Sequence, residues 1–167
     1  MTDAPAGDQL MFKRMLVPID GSHASASVVP YAADLAKRLG CRVDLLLVEP
    51  PAGASMPHPE HHRPVRENGR AATIVTGTAT TIEVRQANER YVQRHVEEFE
   101  ALGVEASGKV VCGDPAEEIL NAALALRSDV VAMATRKLSN FQRRDTGSIA
   151  EEVLWRSKLP VMLVAHG

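Results

Sequence analysis

The chain has 167 residues, of which 45% are hydrophobic and 24% charged, with 19 Lys and Arg against 21 Asp and Glu. This composition is typical of a soluble globular protein, and the length favours one domain with a sizeable core. The net charge of −2 excludes a broadly basic nucleic-acid binder, and the 4% of aromatic residues disfavours a stacking surface for single strands. No apolar run is long enough to span a membrane.

The N-terminal residues and the cysteines indicate the cellular compartment of the protein. Residues 1–10 lack the basic and apolar regions of a signal peptide, and we expect them to form a disordered tail before a single domain at 11–167. Only Cys41 and Cys112 occur, so no disulfide framework is indicated. A cytoplasmic protein is the resulting expectation.

The first predicted strand is the apolar run at 14–19, and Pro18 fits there only where strand pairing is already ending. A turn follows, with Ser22 as the N-cap of a helix that runs to Leu39. Pro30 should kink this helix or delay its regular start.

The second strand is predicted at 42–48. The segment 50–80 then contains five prolines and three histidines without a sustained period, so we expect a long loop there. A small edge strand at 73–76 is the one element that this loop suggests.

The next helix is predicted to begin at Thr80 or Thr81 and to end before Gly103, with an apolar face from Val84 to Leu102. A strand at 104–111 follows, and then a helix that is capped by Asp114 and runs to Leu126. The last three predicted elements are a strand at 129–134, a helix at 146–157 and a strand at 161–165. Strand–helix alternation predicts an α/β fold, with a single doubly wound, five-stranded parallel sheet and helices on both faces. Ligands of such Rossmann-like sheets bind beyond the carboxyl ends of the strands, where the strand order reverses.

Three loops are predicted at that edge of the sheet: 18–22, 48–50 and 133–148. The third ends at a helix N-terminus, where the backbone N–H groups of Gly147, Ser148 and Ile149 would form an anion site. The same loop carries four basic side chains: Arg136, Lys137, Arg143 and Arg144. The alternative is that Ser148 is only a helix cap and that the basic residues form a solvated loop.

The chain resembles the universal stress protein family along nearly all of its length after residue 12. The matching stretches are 15–22 (MLVPIDGS), 31–36 (YAADLA), 113–119 (GDPAEEI), 128–133 (SDVVAM), 147–154 (GSIAEEVL) and 159–164 (LPVMLV). The resemblance implies a five-stranded parallel sheet and a homodimer joined through the last strand. The apolar sequence of that strand predicts an exposed sheet edge, which would be stabilised by pairing with a second chain.

Many members of that family bind ATP through a glycine signature: glycine, two residues, glycine, nine residues, then glycine with Ser or Thr. The spacing is intact here, but Ala134 and Lys137 replace the first two glycines, and Gly147-Ser148 closes the motif. Lys137 could block the pocket or grip a phosphate as a point charge, and both alternatives remain open at this point.

The resemblance also assigns roles to other residues at these loops. It implies that Asp20 contacts the ribose, that Pro18 lines the base pocket, and that Val48 binds the adenine edge through its backbone with Met133 beside it. The alternatives are that Asp20 only caps the first helix and that Val48 is a core residue. Mg²⁺ is expected only together with a nucleotide.

Two functions are compatible with these features. The first is a homodimeric stress-response module that binds ATP or another adenine nucleotide through the altered glycine motif. The alternative is an adaptor of the same fold that binds no nucleotide and acts through protein partners. We expect no enzyme beyond slow, incidental ATP hydrolysis, because the sequence shows no evident general base, Mg²⁺-binding carboxylate pair or P-loop.

The remaining histidines and cysteines have simpler interpretations. We expect His58, His61 and His62 to lie in the exposed loop and not to bind a metal, since no regular element fixes their spacing. His23 is predicted to face solvent and His95 to pack partly buried. Both cysteines are predicted to be small buried hydrophobic residues.

Overall fold

The computed structural model describes residues 12–51, 81–136 and 149–166. The strands are β1 (Arg14–Ile19), β2 (Arg42–Glu49), β3 (Ala106–Cys112), β4 (Val130–Arg136) and β5 (Val161–His166). The helices are α1 (His23–Ala26), α2 (Val29–Leu39), α3 (Thr81–Ala101), α4 (Pro115–Ala125) and α5 (Ile149–Arg156). The predicted tail, the predicted strand at 73–76 and the loop histidines lie outside the described residues.

All strand pairs are parallel, and the strand order is β3-β2-β1-β4-β5. The predicted doubly wound α/β sheet is therefore confirmed. The order reverses between β1 and β4, because the chain moves from β1 to one edge of the sheet and later returns to the other side. In such sheets this is the position where ligands bind.

Strands β1 and β4 pair over only two positions. Met15 pairs with Val130 and Leu16 with Val131, whereas β1 pairs with β2 along its whole length. Pro18 therefore lies beyond the paired part of the β1–β4 ladder, and its missing N–H costs no bond on that side. The carboxyl halves of β1 and β4 are thus not joined by ladder pairs where the order reverses.

Alternation along the strands separates two cores. Side chains at 15, 17 and 19 pack with α2 and α3, and the largest fully buried residue of this core is Phe99 of α3. Leu16 and Leu46 pack on the opposite face with residues of α4 and α5, including Ile119 and Val153. Helices on both faces bury the sheet from two sides, as parallel sheets require.

The single helix predicted after the first turn is two helices. Ser22 caps α1, since its Oγ accepts a hydrogen bond from the Ser25 N–H at 3.0 Å. The four-residue α1 ends, and α2 begins at Val29 with Pro30 in its first turn. Proline is tolerated there because the first helical N–H groups have no partner within the helix. The predicted delay at Pro30 is confirmed.

Two further local predictions are confirmed. Asp114 caps α4 through a hydrogen bond from the Glu117 N–H to its Oδ1 at 3.0 Å, and Pro115 occupies the first helical position. Gly40 and Gly103 have φ values of 68° and 80°, the left-handed conformation that closes a helix.

Two predictions about exposure are wrong. Cys112 is exposed at the end of the edge strand β3, whereas Cys41 is buried as expected. The apolar face of α3 is shorter than predicted, because Val84 and Leu102 near its ends are 43% and 48% exposed while its middle turns face the sheet. The predictions for His95, which is buried, and His23, which is exposed, are confirmed.

Candidate functional site

The turn after β1 is a closed hydrogen-bond network. The Ser22 N–H donates to Asp20 Oδ1 at 2.9 Å, and the Ser25 hydroxyl donates to the Ser22 carbonyl at 3.0 Å. The Ser25 hydroxyl also accepts from the Asp20 N–H at 3.1 Å. Gly21 has a φ of 81°, so the turn needs a residue that adopts the left-handed region without strain.

This geometry bears on the alternative interpretation of Asp20 as a helix cap. The residue that caps α1 is Ser22, and Asp20 instead closes the turn before the helix. The Asp20 residue is exposed beyond the carboxyl end of β1, next to the point where the strand order reverses. A carboxylate in this position can accept hydrogen bonds from ligand hydroxyl groups.

Three predicted site residues converge at the carboxyl ends of neighbouring strands. Pro18 follows Leu16 by two positions, Val48 follows Leu46, and Met133 follows Val131, so all three share the face of α4 and α5. Pro18 and Met133 are buried, and Val48 is half-buried against the same cluster. The structure thus brings these three residues together at one end of the β2-β1-β4 part of the sheet.

Val48 lies just beyond the ladder between β1 and β2. The last pair of that ladder is Ile19 with Leu47, while Val48 still pairs with Val111 of β3. The Val48 side chain packs half-buried against the core of α4 and α5, in agreement with the alternative interpretation that Val48 is a core residue. Its position past the end of β1 is also the one that the family resemblance assigns to an adenine contact.

The other predicted site residues divide between β4, α5 and the segment that joins them. Ala134 is half-buried and packs toward the core of α2 and α3, one residue after Met133. Ile149 opens the described part of α5 and packs half-buried against the cluster that holds Met133. Lys137, Gly147 and Ser148 lie outside the described residues.

Sequence reasoning did not single out Glu49. Its carboxylate accepts a hydrogen bond from Asn88 Nδ2 at 2.9 Å and lies 3.5 Å from Arg85 Nη1. Arg85 also donates to the carbonyl of Val110 at 3.1 Å. These contacts join α3 to the carboxyl ends of β2 and β3. The signal in the sequence was an acidic residue at the end of a buried strand.

A separate polar cluster lies toward the amino ends of the strands. Asp44 accepts hydrogen bonds from Arg14 Nε at 2.5 Å, from Arg14 Nη2 at 3.0 Å and from Ser107 Oγ at 2.8 Å. Burial raises the pKa of Asp44, but the hydrogen bonds from Arg14 and Ser107 outweigh it and hold the pKa below its usual range. These residues border a cavity of about 120 Å³. The cavity is lined by β1–β3 and Leu126, so it is separate from the candidate site.

Comparison with known proteins decides the family. The sequence model of the Universal stress protein family matches residues 11–165. The chain belongs to the universal stress protein family. A curated relative, the universal stress protein YxiE of Bacillus subtilis, is 28% identical over 92% of this chain and 99% of its own length. The resemblance carried by the six sequence stretches is thereby confirmed.

Solved universal stress proteins share the fold. One, determined in complex with cAMP, has a TM-score of 0.67 at 17% identity and covers 94% of this chain and 99% of its own. The Archaeoglobus fulgidus protein in complex with dAMP has a TM-score of 0.57 at 17% identity, covering 92% and 98%. At these identities the likeness establishes the fold.

Two features are absent from the described residues. No helix among them is both long and apolar enough to cross a membrane. Within 12–51, 81–136 and 149–166, no three His, Cys, Asp or Glu side chains are grouped as a metal site would require.

Proposed function

We propose that this universal stress protein binds ATP or a related adenine nucleotide at the carboxyl edge of β2, β1 and β4. The observation that carries the proposal is the convergence of Pro18, Val48 and Met133 on one face of the sheet, beside the exposed Asp20. The position is the reversal of strand order, where doubly wound sheets bind ligands. Structural relatives in complex with cAMP and dAMP support an adenine ligand.

The residues fit the parts of such a ligand. Pro18 and Met133 make this edge of the sheet apolar, as the site of a base requires, and Val48 lies past the end of β1, where its backbone can meet the base edge. The Asp20 carboxylate is an acceptor for ribose hydroxyls. Ile149 at the start of α5, together with Gly147 and Ser148, which precede it in the sequence, would supply N–H groups to the phosphates. Mg²⁺ would neutralise phosphate charge when it binds with the nucleotide.

Binding without efficient turnover is the function that we propose. Among the predicted site residues that the structure describes, Asp20 alone carries a carboxylate. The matching family and the curated relative are both named as universal stress proteins. ATP hydrolysis by phosphoryl transfer needs a positioned nucleophile and charge stabilisation by metal ions or basic groups. We therefore expect a sensor or carrier of the nucleotide state and no dedicated ATPase.

We further propose that two copies join through β5. In the described sheet β5 is an edge strand, and Leu163 on it is 37% exposed. In α5, Ala150 and Val153 face the sheet, and Arg156 faces α4 through its ion pair with Glu117 at 3.8 Å.

The helix period then places an apolar residue beside that edge. With 3.6 residues per turn, Leu154 falls on the flank of α5 opposite to Arg156, toward the free edge of β5, and it is 43% exposed. An open strand edge flanked by two exposed leucines is a surface that a second copy would cover. The adaptor function also gains from this observation, since the same surface suits a different protein partner.

Asp20→Asn tests the nucleotide site without removing the turn. The asparagine Oδ1 can still accept from the Ser22 N–H, so the fold is kept while the negative charge at the ribose is lost. We expect the Kd for ATP, measured by titration calorimetry, to rise about tenfold, the cost of a hydrogen bond to a charged group. The matched control is Asp34→Asn, which alters an exposed aspartate paired with Arg38 on α2.

The outcomes separate the two functions. Wild-type binding that weakens in Asp20→Asn and not in Asp34→Asn supports the proposed site. A folded wild-type protein that gives no heat with ATP, ADP or cAMP contradicts it and favours the adaptor.

A further inference from the structure

Glu49 places a carboxylate at the end of an apolar row of side chains. Alternation along β2 puts it on the same face as Leu45 and Leu47, which are buried in the core of α2 and α3. The Glu49 side chain is only 14% exposed. A charged group with so little contact with water is costly unless it is paired, so its partners should be specific.

Those partners lie on the first turns of α3. Asn88 Nδ2 donates to one oxygen of the Glu49 carboxylate at 2.9 Å, and Arg85 Nη1 lies 3.5 Å from the other oxygen. Arg85 and Asn88 are three residues apart, so they share one face of the helix. Arg85 also donates to the Val110 carbonyl of β3 at 3.1 Å. The start of α3 is therefore bound to the carboxyl ends of both strands.

These contacts lie where β2 has lost one neighbouring strand. The β1–β2 ladder ends at the pair of Ile19 with Leu47, so in the described sheet the last two residues of β2 pair with β3 alone. The Glu49 carbonyl accepts from the Gly113 N–H at 2.9 Å and therefore faces β3. Successive carbonyls of a strand point to opposite sides, so the Val48 carbonyl faces the β1 side, where the strand order reverses.

We propose that Glu49 and Asn88 are positioning residues that fix the direction of the Val48 carbonyl, so that this carbonyl accepts a hydrogen bond from the 6-amino group of adenine. The inference rests on the proposed adenine-nucleotide function and adds to it two side chains that act through the backbone of β2. Without the bond between Glu49 and Asn88, the end of β2 is held by its ladder with β3 and is free to turn about that strand. A carbonyl that turns away accepts less well, because hydrogen bonds weaken steeply as they bend.

A purely structural contact between α3 and β2 predicts a different result. Its removal would lower stability and weaken the binding of different nucleotides to the same extent. Only a positioning role changes the discrimination between bases. ITP differs from ATP in the base alone, where an oxo group replaces the 6-amino donor and N1 carries a hydrogen. The decisive quantity is therefore the ratio of the Kd for ITP to the Kd for ATP.

Titration calorimetry on the full-length protein measures this ratio for the wild type, Glu49→Ala and Asn88→Ala. Asn88→Ala keeps the Glu49 carboxylate beside Arg85, so it provides a folded variant if Glu49→Ala does not fold. Glu49→Gln is the conservative variant, since its amide oxygen can still accept from Asn88 Nδ2.

Two matched controls remove the same kinds of group away from the end of β2. Glu105→Ala removes a carboxylate that pairs with Arg42 at 3.0 Å, at the amino end of β2. Gln93→Ala removes an exposed hydrogen bond to Glu97 further along α3. We expect the wild-type protein to bind ITP more weakly than ATP, and the ratio to fall about three- to tenfold in both alanine variants at 49 and 88, the loss of one hydrogen bond. Glu49→Gln and both controls should keep the wild-type ratio.

The possible failures can be told apart. If the wild-type protein prefers ATP and both alanine variants keep the full ratio, the positioning role is overturned while the nucleotide function stands. If the wild-type protein binds ATP and ITP equally well, the Val48 carbonyl does not read the base, and the inference is overturned with nucleotide binding intact. If it binds neither compound, the proposed function fails and this inference fails with it. If the controls lose the ratio as much as the alanine variants do, general destabilisation explains the loss and the inference is again overturned.

Discussion

At the scale of single residues, Lys137 bears most directly on function, because it stands where the nucleotide signature of the family has a glycine. A lysine ammonium is a compact point charge that can bind phosphate oxygens. We expect it to assist binding, so Lys137→Gly should raise the Kd for ATP about tenfold, the cost of a charge-assisted hydrogen bond.

Titration calorimetry at low and high salt tests this expectation. The Lys137→Met variant is the matched control, because it keeps the length of the side chain and removes only the charge. Both variants should bind more weakly and depend less on salt than the wild-type protein. Tighter binding by Lys137→Gly would show instead that the side chain obstructs the pocket.

The residues of the site differ in how far the sequence could reveal them. The order of strands and helices predicts that the loops starting at Pro18, Val48 and Met133 lie at one edge of the sheet, whereas the family resemblance supplied their roles toward a nucleotide. Glu49 could not be found in this way, because its partners Arg85 and Asn88 lie on α3, far along the chain, and meet it only through tertiary packing.

At the scale of elements, the sheet and its flanking helices follow from local patterns, and the departures have local causes. Apolar runs predicted all five strands within two residues at each end. The helix after β1 broke into two because Ser22 and Pro30 each start a helix. The exposure of side chains was harder to predict. Cys112 is exposed because it ends β3, an edge strand of the sheet, and the order of the strands cannot be inferred from the sequence of any single segment.

An ion pair joins β1 to β2, with the Asp44 carboxylate buried and the Arg14 side chain 29% exposed, and its contribution to stability should depend on pH. The pKa of Asp44 is lowered in the folded protein, so it contributes stability that is present above the unfolded value of about 3.9 and is lost as the pH falls through the folded value. Asp44→Asn leaves Arg14 without its partner carboxylate. We expect it to lower the free energy of unfolding by about 2 kcal/mol at pH 7, the cost of losing hydrogen bonds between charged groups when the remaining Arg14 is partly solvated.

Urea unfolding between pH 7 and pH 2 measures this effect. The difference between wild type and Asp44→Asn should shrink as the pH falls below about 4, because Asp44 then takes up a proton in the unfolded chain while the folded carboxyl stays ionised until its own lower pKa is reached. Asp34→Asn, at an exposed pair on α2, should cost about 0.5 kcal/mol or less at any pH. A difference that stays constant down to pH 2 would contradict the assignment.

The contact between α3 and β3 depends on a glycine. A Cβ atom at Gly108 would lie 2.3 Å from Val92 Cγ1 and 3.1 Å from Val96 Cγ2, so the helix lies close to the strand where no side chain intervenes. We expect Gly108→Ala to lower the free energy of unfolding by about 2 kcal/mol through overpacking. Adding Val92→Ala should relieve the clash, so the double variant should lose less stability than the sum of the two single variants. Additive losses in urea unfolding would show that Val92 is not the source of the cost of Gly108→Ala.

At the scale of the whole molecule, the two ends of the sheet have different chemistry. The amino ends hold the Arg14–Asp44 pair, and β1 is tied to the start of β4 because Asp129 Oδ2 accepts from the N–H groups of Lys13 and Arg14 at 2.8 and 2.9 Å. The carboxyl ends hold the candidate site, where the β1–β4 ladder has stopped. Hydrogen bonds thus fix β1 to β4 at their amino ends, while the carboxyl ends, where the candidate site lies, have no ladder pairs between these two strands.

The edges of the sheet determine how one molecule meets another. The edge strand β5 carries Leu163, and Leu154 lies on the flank of α5 toward the same edge, so a second copy paired along β5 would bury both. We expect light scattering after gel filtration to give twice the chain mass of 18.1 kDa for the wild-type protein. Replacing both leucines by glutamate should give the monomer mass, because charges at the centre of an apolar interface lose hydration without gaining partners.

The matched control is Leu124→Glu, which introduces the same charge at a leucine that is 80% exposed on α4. It should remain dimeric, since that residue lies away from β5. A wild-type monomer, or a dimer that survives glutamate at both positions, would contradict pairing through this edge. A monomeric double variant that still binds ATP would in addition show that each chain carries a complete nucleotide site, because Pro18, Asp20, Val48 and Met133 all come from one chain.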